Sequence, residues 1–168
     1  MPEAEVARSR QAGKPDLRGC TETNTSESHM SEPLPDSSSP EPYLAVKAAM
    51  MPRDTNPYGT IFGGVILSYI DQAGAIGAVH ILRQRGYPKR MLVTVGMKSI
   101  EFHRPVCVGD IVSFYTEVVR IGRTSITMHV SVETERDENI VQLTEAEVTY
   151  VAVEGPQQAQ RTVPLRAD

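Results

Sequence analysis

The stretch from Ile61 to Leu82 constrains the fold more than any other part of the chain. Its 22 residues are mostly apolar or small and carry a single formal charge, Asp71. Such a run is too long for a strand and predicts one helix, begun at a Thr60 N-cap and ended near Arg85-Gly86. It is also long enough to span a bilayer. Asp71 argues against that, because a carboxylate at a membrane midpoint costs about 2.5–3.5 kcal/mol, and Ser68, Gln72 and His80 add to the cost. The stretch therefore reads as a helix buried almost all round inside a soluble protein. Its many Gly and Ala residues would let neighbouring backbone pack close.

The rest of the foldable sequence is strand-like. Tyr43–Met50 predicts a first strand, and the Asp, Asn, Pro and Gly of residues 52–59 predict an irregular loop. After the helix, strands are expected at Met91–Phe102, Asp110–Ile121, Ser125–Thr134 and Asn139–Val153. Alternation is cleanest in the third of these, with Ile126, Met128, Val130 and Val132 on one face and Thr127, His129, Ser131 and Glu133 on the other. Short turns between long strands imply antiparallel hairpins. The expected class is α+β: strand, helix, then four strands, with a curved antiparallel sheet around one long central helix.

Composition marks where this unit ends. The chain has 168 residues, enough for one domain. Residues 1–42 hold no aromatic side chain and are rich in Ser, Thr, Pro and Glu, so they predict a disordered arm. The arm carries the whole net charge of −4, and residues 43–168 balance. No basic stripe suggests a nucleic-acid partner. Glu3 and Glu5 oppose a signal peptide, and Met30 is a possible alternative start. Cys20 and Cys107 show no metal-ligand spacing, so neither a zinc site nor a disulfide framework is expected and the usage fits a cytoplasmic location. Residues 155–168 read as a polar tail.

The chemistry concentrates around the helix. Asp71 has no oppositely charged partner at three or four residues' distance, and burial would raise its pKa towards general-base work. Otherwise it emerges at a polar edge. Gly63 and Gly64 fall in the first helical turn, where N–H groups lack partners and could hold an oxyanion, or where only glycine fits a tight entry. Asn56 could orient a water or a carbonyl, or close an Asx turn beside Pro57. Gly64 and Asp71 are roughly 10 Å apart along the axis. If both serve one reaction, the base must come from a second copy of the chain. Arg123, Thr124 and Ser125 form either a phosphate-binding hairpin or a solvated turn. His80, His103 and His129 make no motif, and no P-loop, GxGxxG, GxSxG or HExxH occurs.

Taken together, Met51–Gly64, Ser68–Ala75, Phe102–Asp110, Gly122–Ser125 and Thr144–Ala146 leading to Tyr150–Val153 closely resemble the hot-dog acyl-CoA thioesterases of the YciA-like group. The resemblance runs from about Leu44 to Glu154 and marks 43–154 as a hot-dog domain. It implies hydrolysis of acyl-CoA to CoA and a carboxylic acid, without metal or organic cofactor. It implies Asp71, Asn56 and Gly64 as catalytic, with Gly63, Arg123, Thr124 and Ser125 binding substrate. It further implies a homodimer or a higher homo-oligomer such as a trimer of dimers, with neither nucleic acid nor membrane as partner. Pro57-Tyr58 departs from the small or polar residues usual there. The competing readings are a non-catalytic acyl-CoA sensor and a dehydratase; the latter wants an Asp/His pair that Asp71 lacks.

Overall fold

In the computed structural model, which describes residues 41–156 and 159–166, the predicted helix runs Gly63–Gln84 (α1). The expected arm lies outside the described residues apart from Glu41 and Pro42. Strands β1 (Tyr43–Ala49), β2 (Met91–Phe102), β3 (Ile111–Ile121), β4 (Ser125–Arg136) and β5 (Asn139–Glu154) fall where alternation and turn residues put them. They form one antiparallel sheet in the order β1-β3-β4-β5-β2, which leaves β1 and β2 at its edges. This is the expected hot-dog architecture, a central helix on an antiparallel sheet.

The β4 register sets the inner face. Ile126, Met128, Val130 and Val132 are fully buried, and so is Phe114 on β3. They meet Ile66, Ile70, Ala73 and Ala78 of α1. Two glycines bring the helix down onto the strands. A Cβ at Gly74 would overlap the Tyr150 hydroxyl, and one at Gly77 would overlap the Thr116 side chain.

Four expectations change. The helix is not buried all round: in the single chain Ile76 is 43% and Val79 51% exposed, because the sheet covers one side only. Thr60 is not the N-cap. Phe62 occupies that position without a side-chain cap, and Thr60 is taken up by the loop before it. Residues 155–168 are more than a polar tail. Arg161–Thr162 form a short β6 that pairs with the end of β5, and Val163 and Leu165 are buried. Two isolated apolar residues among polar ones gave no periodic signal. Finally, Cys107 is disulfide-bonded, while Cys20 lies outside the described residues. Spacing along the chain cannot reveal such a bond.

Candidate active site

The loop before the helix is built on Asn56. Its N–H donates to the Thr60 carbonyl at 2.8 Å, and its side-chain Oδ1 accepts from the Tyr58 N–H at 2.9 Å and the Thr60 N–H at 3.3 Å. Its Nδ2 donates to Thr60 Oγ1 at 2.8 Å. The Asx turn is therefore real, and it leaves one N–H of the amide for another acceptor. Asp54 works as a turn residue: its carboxylate accepts from the Met51 N–H, and its carbonyl from the Phe62 N–H at 2.8 Å.

This loop delivers the chain to the helix start with its first donors unspent. The Val65 N–H donates to the Phe62 carbonyl at 2.9 Å, but the Gly63 and Gly64 N–H groups have no partner among the described residues. The two glycines differ. A Cβ at Gly64 would overlap the ring of the exposed Phe62, which would have to turn aside to admit it. A Cβ at Gly63 would sit 3.6 Å from the Phe102 ring, an ordinary contact, so nothing need move. A cleft of ≈ 370 Å³ opens beside Gly63, walled by Ile61, Ile66, Phe102, His103 and Val106. Partial positive charge at a helix start, next to an apolar wall, suits a polarised carbonyl carrying an apolar chain. A larger cavity of ≈ 480 Å³ between Lys47, Asp110, Glu133 and Ile140 contains none of the expected site residues.

Asp71 lies two helical turns further on, half-buried. Its Oδ1 accepts a 2.7 Å hydrogen bond from the Thr94 hydroxyl on β2. Its main-chain carbonyl accepts another, also 2.7 Å, from the Tyr150 hydroxyl on β5. Burial, and behind it the charge of Asp71, raises the Tyr150 phenol well above the ordinary tyrosine range, so it stays a donor. Thr94 was not among the expected site residues. It is 23 residues from Asp71, and a Thr in a strand gives no local signal.

The Arg123-Thr124-Ser125 turn is well tied, with the Gly122 N–H on the Ser125 carbonyl at 2.7 Å and the Leu165 N–H on the Arg123 carbonyl at 2.8 Å. It is not near Gly63 within one chain. Ser125 stands opposite Val151, whereas Phe102, beside Gly63, stands opposite Thr144. Seven strand residues separate those rungs, about 24 Å. Asp71, Asn56 and Gly64 carry no cluster of metal-ligating side chains. Among the described residues one such group exists, at Glu101, His103 and Glu145.

Comparison with known proteins gives a consistent picture. A family described as the thioesterase superfamily matches residues 58–141. The acyl-CoA thioester hydrolase YciA of Salmonella typhimurium is 39% identical over 132 residues, 76% of this chain and 94% of the relative. Its Escherichia coli counterpart is 38% identical over 131 residues, 75% of this chain and 94% of the relative. Among solved structures, a hexameric hotdog fold thioesterase of Campylobacter jejuni is 39% identical with a TM-score of 0.61, covering 73% of this chain and 89% of that one. A hexameric thioesterase from Yersinia pestis is 35% identical with a TM-score of 0.64, covering 76% and 99%.

Proposed function

The chain belongs to the thioesterase superfamily, and on that premise we propose that it hydrolyses acyl-CoA thioesters with Asp71 as the reacting base. The observation that carries this reading is the pairing of two N–H groups at the helix start, unpartnered among the described residues, with a carboxylate on the same helix that Thr94 holds in place. The thioester carbonyl would sit at the Gly64 N–H, with Gly63 open beside it and the spare Asn56 N–H within the same loop. Negative charge develops on that oxygen as the carbonyl carbon becomes tetrahedral, and fixed donors stabilise it most at that moment. Asp71 supplies the basic oxygen, by taking a proton from the attacking water or by attacking the carbon itself. The C–S bond then breaks, the electron pair leaves with sulfur, and a proton completes the CoA thiol. On the first route the acid takes its new oxygen directly from water; on the second, water then hydrolyses the acyl–Asp71 anhydride, which frees the acid and restores the carboxylate.

The reaction site is shared between two copies of the chain. Gly64 and Asp71 lie roughly 10 Å apart along one helix, too far for one water to connect. Two surfaces favour a partner. The 12-residue strand β2 is an open edge, with Val95 59% and Phe102 53% exposed, and the outer side of α1 shows Ile76 and Val79. Apolar groups along an unpaired edge mark an interaction surface. The hexameric state of the Campylobacter and Yersinia proteins supports a homo-oligomer of at least two chains. Arg123, Thr124 and Ser125 are proposed to meet the phosphates of CoA.

The test is release of free thiol from a chain-length panel of acyl-CoAs by the purified protein. Turnover that Asp71→Asn abolishes supports the reading. Saturable binding of acyl-CoA without thiol release would overturn it in favour of a sensor.

A further inference from the structure

We infer that Glu101, His103 and Glu145 form a binding site for a divalent transition-metal cation of the Zn²⁺ class on the outer face of the sheet. In the β2–β5 register Glu101 stands directly opposite Glu145. Like charges so placed destabilise an antiparallel pair unless a cation lies between them. Lys98 does not serve, because its ammonium is 2.9 Å from Glu147 Oε2 on the next rung.

The local backbone brings the ligands together. Lys98 pairs with Glu147 and Glu101 with Glu145, three residues on β2 against two on β5, so a bulge lies between them. Bulges re-aim side chains in this way. His103 follows two residues later, held to β5 by its N–H on the Leu143 carbonyl at 2.9 Å. Its Nε2 is 3.4 Å from Glu145 Oε1, and the ligand atoms of the three residues lie within 4.8 Å of one another. Ligands at Zn–N and Zn–O distances on a tetrahedral cation stand about 3.4 Å apart. The His103–Glu145 spacing already meets that, and the exposed Glu101 carboxylate has only to close in.

The other Glu145 oxygen is held from behind. Gln142 Nε2 donates to Oε2 at 3.1 Å, and His129 Nε2 is 3.9 Å from it. Such outer partners orient a metal-binding carboxylate. One imidazole with two carboxylates favours Zn²⁺ or Co²⁺ over Mg²⁺ or Ca²⁺, which prefer oxygen alone. Sequence spacing gave no hint of metal, since positions 101, 103 and 145 meet only through strand register. His103 also walls the cleft beside Gly63, so a bound cation would pin that end of β2.

The test uses the full chain with any affinity tag removed, stripped with a chelator and titrated with Zn²⁺ by calorimetry and with Co²⁺ by visible absorption. One cation per chain is expected at micromolar affinity, with the absorption of a four- or five-coordinate Co²⁺ site. H103N, E101Q and E145Q should each weaken Zn²⁺ binding about tenfold or more, with H129N weaker in effect. Melting curves without metal check that each variant folds; the three ligands are partly exposed, and at least one variant should melt like the parent. No stoichiometric uptake, or uptake unchanged in H103N, E101Q and E145Q, overturns the proposal.

Discussion

The Thr94 hydroxyl donates a 2.7 Å hydrogen bond to Oδ1 of Asp71, joining an edge strand to the middle of the helix. That bond fixes one carboxylate oxygen and leaves the other to meet a reactant. Thr94→Val should lower kcat about tenfold with little change in KM, the low end for a hydrogen bond to a charged group because Thr94 is exposed in the single chain. Thr94→Ser should recover most of it. Equal kcat for all three enzymes would make the bond incidental.

Asp71→Asn keeps the size of the side chain and removes its charge and basicity. The expected loss in kcat is ~10²–10⁴-fold, the usual worth of a positioned acid–base group. Retention of more than a tenth of kcat on a good substrate would show Asp71 to be structural.

Sites shared between chains can be complemented. Neither Asp71→Ala nor Asn56→Ala alone should turn over well. Heterodimers of the two have one site with both groups intact, and part of the activity should return on mixing and refolding. Verified heterodimers as inactive as their parents would place both groups in one chain.

Gly74 tests the packing that supports Asp71. Alanine is the better helix former by roughly 1 kcal/mol, so Gly74→Ala would stabilise an unobstructed helix. Here its Cβ would overlap the Tyr150 hydroxyl, and overpacking of that kind costs about 1–3 kcal/mol. Urea unfolding should show a net loss of stability. A gain would mean that Tyr150 moves aside without penalty.

Tyr150 also gives a pH signature. Its folded pKa lies above the unfolded value near 10, chiefly through burial and then through the Asp71 charge. The neutral phenol is thus favoured by folding, and its contribution is complete below pH ~10. As pH rises beyond that, the unfolded chain ionises first and the contribution falls. Urea unfolding from pH 8 to 11 should show the stability gap between the parent and Tyr150→Phe constant at first and narrowing above pH ~10. A gap that widens would reverse the assignment.

Much of the fold was legible because two periodicities are clean. The apolar run of α1 and the alternation of β4 need no tertiary information, and the buried face of β4 is the one its sequence announces. What failed to show was tertiary in origin. Phe62 rather than Thr60 caps the helix because Asn56 had already claimed the threonine hydroxyl. Val163 and Leu165 count as core only because β6 returns to β5. At the site, Asp71 stood out as a lone charge and Asn56 as a loop builder, but Thr94 and Tyr150 reach Asp71 from distant strands. Their roles follow from register, and register is absent from a single sequence read locally.

The open edge of β2 has a consequence for the history of each molecule rather than for its architecture. A newly made chain presents 12 residues of strand whose outward N–H and C=O groups pair with nothing among the described residues. Such an edge accepts any extended segment that arrives first, whether from a copy of itself or from an unrelated unfolded protein. Capture by a copy is second order in chain concentration, and the stray encounter is not. Scarcity therefore favours the wrong partner, and abundance protects the right one.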